Sequence, residues 1–216
     1  MALIYMVRHG QTVWNVDKRF RGTIDVPLNE KGRNDAHRVA EHLADVGLEA
    51  VYTSPLSRAR EVAEAIAGAA GLARTSDLDG LLNLDYGDWH GLTKEECATR
   101  DPEAWRLYRE HPERAGCPGG EALAAAADRV TGALVDLSRR HPGGVVAAVS
   151  HGVMVRLAAL RAGYASGGDW EIPLDTGSAT AFNVIDGVLS LVTRPGQVGP
   201  VPVFETAPRV AASPTL

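Results

Sequence analysis

The chain predicts an α/β fold, a three-layer α/β/α sandwich around a mostly parallel central sheet. Short apolar runs of strand length alternate with stretches of helical periodicity, which is the pattern of helices laid on both faces of a sheet. Two of those runs, Leu3 to Val7 and Val145 to Val149, pass within two residues into a histidine followed by a glycine. Open α/β sheets carry their ligands at such strand ends.

Taken in order, Leu3 to Val7 reads as a buried strand, and Asn29 as the N-cap of a helix over Gly32 to Val46. Ala50 to Thr53 is the second strand. Ser54 is the expected N-cap of the next helix, Pro55 to Gly68, with the proline at its first position. Two short helical pieces fall between Thr93 and His111, with Thr93 as N-cap, and a long helix between Glu121 and Arg140. Val145 to Val149 leads into a helix over Val153 to Ala162. Thr180 to Ile185 and Val188 to Thr193, joined by Asp186-Gly187, read as a hairpin closing the sheet. Residues 1–194 are thus expected to form one domain, and the prolines of 195–216 an extended C-terminal tail.

Composition narrows the partners. With 216 residues, 45% of them hydrophobic, there is enough apolar material for one full core. A net charge of −5 and the lack of basic tracts exclude a non-specific nucleic-acid binder. No apolar run approaches the roughly 20 residues that span a bilayer. Cys97 and Cys117 have neither metal-ligand spacing nor the makings of a disulfide framework, and the start shows no signal-peptide pattern, so the expected location is the cytoplasm. Oligomeric state is not readable from the chain, a dimer being compatible with it.

The chemistry concentrates in four places. In Arg8-His9-Gly10-Gln11-Thr12-Val13-Trp14-Asn15, a neutral imidazole can attack phosphorus without a partner base. A lone histidine at a strand end is more often a packing residue. Here Arg8 offers a fork of donors to phosphate oxygens, Gly10 lets backbone approach, and Asn15 can add an amide donor. In Ser54 to Arg60, Arg58 falls in a helix's first turn, while Arg60 lies about 200° away and reads as a solvated surface residue. Ser150-His151-Gly152 places a second imidazole where the next helix's N–H groups help hold an anion, which suits His151 to stabilising charge rather than attacking. Finally, Leu82 to Gly91 mixes acids, aromatics and glycines as a loop over a pocket would.

Together these segments resemble the histidine phosphatase superfamily, also called the phosphoglycerate mutase-like family, up to about Arg194. Arg8-His9-Gly10 is similar to its RHG signature. Phe20-Arg21-Gly22 and Asp25 to Gly32 are similar to its following loop and helix entry, and Ser54 to Arg58 to its second arginine segment. Pro118-Gly119-Gly120-Glu121 and Ser150-His151-Gly152 follow in the family's order. The resemblance implies a metal-independent, cofactor-free route. His9 attacks a phosphomonoester, water hydrolyses the phosphohistidine, and Arg8, Arg58, His151 and Asn15 hold the phosphoryl oxygens. It also implies that Arg21, Gly22, Asn83 and Gly152 lie on the substrate side, with Arg21 selecting an anionic substrate.

One position departs from the family pattern. Where the family usually has a glutamate general acid, this chain has Asn83, and an amide cannot deliver a proton. Asp85 is the expected substitute, since residues two apart in an extended segment share a face, with Asp88 and His90 behind it. The short segment before the second histidine favours a phosphatase of a small phosphorylated metabolite over a phosphoglycerate-type mutase. A non-catalytic phosphoester-binding domain is the alternative that Asn83 raises. Pocket walls are expected from Trp105, Arg106, Tyr108 and Arg109, which also suit core contacts and a solvated face.

Overall fold

Side chains of the opening run alternate between two cores, and that alternation fixes the layers. In the computed structural model, which describes residues 1–164, 170 and 172–197, β1 (Ala2–Arg8) sends Ile4 and Met6 into one apolar cluster and Tyr5 and Val7 into the other. β4 (Val145–Ser150) does the same, with Val146 and Ala148 on the first side and Ala147 and Val149 on the second. Both strands are buried on two faces, which is why they read as unbroken apolar runs.

The sheet has the order β3-β2-β4-β1-β5-β6, with β2 (Ala50–Thr53), β3 (Ser76–Asp77), β5 (Ala179–Ile185) and β6 (Val188–Leu191) completing it. β1, β2, β3, β4 and the edge strand β6 run in one direction, and β5 alone is antiparallel to its two neighbours, β1 and β6. One face is covered by α2 (Glu30–Leu43) and α3 (Ser57–Ala69). The other carries α6 (Leu123–Arg140) and α7 (Gly152–Arg161). The expected α/β/α sandwich is therefore the observed one. Asp186 and Gly187 both take positive φ, +51° and +79°, as a tight hairpin turn between β5 and β6 demands.

Several boundaries differ from expectation for local reasons. α2 starts two residues early because Asn29 Oδ1 accepts the Gly32 N–H at 2.8 Å. A single turn, α1 (Val13–Val16), appears where no helix was predicted, closed by a reciprocal cap between Thr12 and Asn15. α4 (Lys94–Arg100) and α5 (Pro102–Glu110) are the two predicted short pieces, and Thr93 caps α4 with Glu96 answering. β3 is two exposed residues long and left no periodic signal in the sequence. Of the expected tail, Gly196 donates its N–H to Thr180 Oγ1, and residues 198–216 lie outside the described residues. Among the described residues no helix is long and apolar enough to cross a membrane.

Ser54 is not the cap of α3. Leu56 occupies the cap position, and the first-turn donor is satisfied from elsewhere: Asp25 Oδ1 accepts both the Ser57 N–H at 2.9 Å and its hydroxyl at 2.8 Å. The Ser54 hydroxyl is committed to the site described next.

Candidate active site

β1 and β4 are neighbours in register, with Arg8 opposite Ser150, so their C-terminal ends deliver two histidines side by side. The His9 N–H donates to Ser150 O at 3.0 Å, and the two imidazoles stand edge to face with centroids 5.2 Å apart. Both are essentially fully buried. His9 Nδ1 lies 2.6 Å from Gly10 O. A carbonyl only accepts, so Nδ1 carries the hydrogen and Nε2 is left with its lone pair, the form a nucleophile requires. His151 sits at the start of α7 with Nε2 2.9 Å from Ser54 Oγ. Burial first, then the Arg58 guanidinium, holds both imidazoles well below their usual pKa.

Arginines surround the pair. Arg8 donates to Leu174 O and lies against Gly152, where a Cβ would come within 3.2 Å of Arg8 Nε. Arg58 is fully buried in the first turn of α3 and donates to Ile24 O and Gly22 O, each at 2.8 Å, with the Asp25 carboxylate 3.9 Å away. Gly22 has φ of +51°, and a Cβ there would meet the His90 ring at 2.1 Å, so only glycine fits. Burial pulls Arg8, Arg21 and Arg58 down to about 10, which still leaves them charged at neutral pH. Arg60 faces outward and pairs with Asp77, as a surface residue should.

A cavity of about 460 Å³ opens from this cluster. Arg8, Asn15, Arg21, Asn83, His151 and Gly152 line it, while His9 and Arg58 are buried behind them. Asn15 Oδ1 is occupied by the Thr12 N–H and hydroxyl, leaving its amide NH2 as the available donor. Trp14, Phe20, Tyr86 and Tyr108 supply aromatic wall, and Lys18, Arg19, Lys94, Glu95 and Arg156 add charge. Of the four residues expected from the Thr93 to Pro118 segment, Tyr108 reaches the cavity and Trp105 packs on the core. Arg106 instead pairs with Glu103 and Glu110 in solvent, and Arg109 is exposed away from the cavity lining.

Among the described residues, eight buried side-chain polar atoms lack a partner, and six of them belong here: Arg8 Nε, His9 Nε2, Arg21 Nε, Arg58 Nε, Asn83 Oδ1 and His151 Nδ1. Unsatisfied buried groups are costly and rare, so their concentration at one spot marks a place built for a ligand.

The acid loop is held from behind. Arg129 of α6 donates to the carbonyls of Gly80, Leu82 and Asn83 and forms a two-point pair with Glu121. Asn83 Nδ2 donates to Gly22 O at 3.1 Å. Asp85 does not share its face: the carboxylate accepts the Gly87 N–H at 2.9 Å, lies 3.6 Å from His90 Nε2, and is not among the cavity-lining residues. Its side chain is instead drawn forward onto the 3-10 turn that starts at Gly87, whose N–H it caps, and so is held away from the cavity. Sequence reading missed Arg156, although it lies one helical turn after Gly152 and so on the same face of α7.

The sequence profile described as "Histidine phosphatase superfamily (branch 1)" matches residues 4–194. Phosphoserine phosphatase 1 of Hydrogenobacter thermophilus is 35% identical over 72% of this chain and 74% of its own length. Phosphoglycerate mutase-like protein 4 of Arabidopsis thaliana is 36% identical over 86% of this chain and 81% of its own. The solved structure of Bacillus stearothermophilus YhfR superposes with a TM-score of 0.79 at 32% identity, covering 92% of this chain and 98% of that one. With the paired histidines, the flanking arginines and the sheet order all in place, the chain belongs to the histidine phosphatase superfamily, branch 1.

Proposed function

We propose that the protein is a metal-independent phosphatase of a small phosphorylated metabolite, working through a phosphohistidine. The observation that carries this reading is the His9 Nδ1 to Gly10 O bond, which turns an unprotonated, unpartnered Nε2 toward the arginine cluster. Nε2 attacks phosphorus, the P–N bond forms as the ester P–O bond breaks, and the alcohol departs. Water then attacks the same phosphorus from the cavity, which releases inorganic phosphate and restores the imidazole. Arg8, Arg58 and His151 offer donors to the phosphoryl oxygens as charge builds on them. Arg21 and Arg156, beyond what one phosphoryl group needs, favour a substrate whose leaving group bears a second negative charge. The phosphatase names of relatives such as phosphoserine phosphatase 1 support the reaction class.

Phosphate release without added metal, over a panel of small phosphomonoesters, tests the proposal. Native turnover that His9→Ala abolishes is the expected result. Binding of phosphoesters with no turnover would instead favour a binding domain, and isomerisation without phosphate release a mutase.

A further inference from the structure

The inner end of the cavity is furnished almost wholly with hydrogen-bond donors. Arg8, Arg21 and Arg58 each have an unpartnered Nε, and such a nitrogen can only donate. Beside the nucleophilic His9 Nε2, which is turned to phosphorus, Asn83 is the exception. Its NH2 is committed to Gly22 O, and a carbonyl accepts only, so turning the amide over would lose that bond. Oδ1 is the atom left over, buried without a partner on a residue of the cavity wall. The same Gly22 carbonyl takes a bond from Arg58, which ties Asn83 directly to the phosphate-holding set.

A fully ionised phosphomonoester presents oxygens without hydrogens, so it would set acceptor against acceptor at Asn83. A monoanion carries one P–OH, the donor that Oδ1 lacks. Nor, among the described residues, does the wall offer a buried carboxylic acid of its own. Its carboxylate, Glu95, is fully exposed at the rim, in the first turn of α4, where hydrogen bonds from its own N–H and from Thr93 favour the ionised form.

We propose that the protein takes its substrate as the phosphomonoester monoanion, with Asn83 Oδ1 accepting the P–OH and the substrate supplying the proton its leaving group needs. This rests on the phosphatase reading above. His9 Nε2 bonds to phosphorus, the ester P–O bond breaks with its electron pair on the departing oxygen, and the P–OH proton passes to that oxygen. The products are a neutral alcohol and a phosphohistidine that together carry the substrate's single negative charge.

Among the described residues the titratable and charged groups around Asn83 are Arg8, His9, Arg21, Arg58 with Asp25 beside it, Arg129 paired with Glu121, His151 and Arg156, from β1, the loops after β1 and α1, α3, α6 and α7. Arg8, Arg21 and Arg58, pulled by burial to about 10, stay charged across neutral pH, and burial keeps the His9 and His151 imidazoles neutral. His90 lies beyond Gly22, with its Nε2 accepting from the Thr23 N–H, and is the same whichever substrate is bound. A phosphate ester loses its second proton near pH 6. An alkaline loss of kcat/KM that moves with the substrate therefore belongs to the substrate.

The test compares ethyl phosphate with 2,2,2-trifluoroethyl phosphate, whose second ionisation lies lower, in the native protein and Asn83→Asp. With the native protein, kcat/KM should fall about tenfold per pH unit above each substrate's own second pKa, the break shifting between the two. Asn83→Asp, which adds a carboxylic acid, should abolish that shift and raise kcat on ethyl phosphate on the order of 10²-fold. A break fixed at one pH for both substrates overturns the proposal. So does hydrolysis of an aryl phosphate with no turnover of either alkyl ester. Absence of any His9-dependent phosphate release, by contrast, overturns the phosphatase reading itself.

Discussion

Ser54 Oγ and His151 Nε2 lie 2.9 Å apart, both fully buried, and join α3's approach to the start of α7. With the hydroxyl donating, Nδ1 of His151 carries the ring's hydrogen and becomes a donor for the phosphoryl group. Ser54→Ala frees the tautomer and leaves Nε2 unpaired. The expected result is a kcat loss of about 10- to 100-fold with KM nearly unchanged, since an orphaned buried group costs about 1–3 kcal/mol. Steady-state kinetics on any panel substrate checks it.

Arg21 should behave as a residue kept for the ligand. Its guanidinium has no hydrogen bond or ion pair of its own among the described residues, and Arg58 opposes it electrostatically. Arg21→Gln is expected to leave the melting temperature equal or higher. It should raise KM about tenfold or more for phosphoesters with a second anionic group, and much less for those without. Paired thermal melts and kinetics separate the two effects.

Arg129 is predicted to matter for the opposite reason. It closes three loop carbonyls and pairs with Glu121, so Arg129→Met should cost about 2 kcal/mol of stability and loosen the segment carrying Asn83. Urea unfolding measures the first, and hydrogen exchange of 82–87 the second.

Stability should also depend on pH through the histidine pair. Both imidazoles have folded pKa values far below the unfolded 6.5, so their stabilising contribution is complete above about pH 6.5 and is lost as pH falls below it. Each imidazole then costs about 1.4 kcal/mol per pH unit. Urea midpoints at pH 7, 6 and 5 should fall less steeply in His151→Asn than in the native protein.

The sandwich and most of the phosphate cluster were legible because each rests on a local pattern: an apolar run, then histidine and glycine at its end. Ser54 misled because serine before proline has the form of a helix start, whereas its partner, His151, is 97 residues away. Asp85 misled because the face-sharing rule places a side chain by backbone alone, whereas this carboxylate is captured by the Gly87 N–H and lies beside His90. Arg156 passed unnoticed since an arginine on a helix ordinarily points to solvent. Ser54 was decided by a contact 97 residues away and Arg156 by the cavity it lines, neither of which a short window of sequence contains, whereas Asp85 was decided by a hydrogen bond to its own near neighbour, Gly87.

The site's two halves come from opposite ends of the chain, since β1 is built from the first eight residues yet lies between β4 and β5. During synthesis that strand has neither neighbour until the last third of the protein has emerged. His9 and His151 therefore cannot meet in any fragment that lacks β1 or stops short of β4, and on refolding, recovery of turnover should share one rate with burial of the sheet rather than follow it. For this molecule, activity and completion of the fold are a single clock.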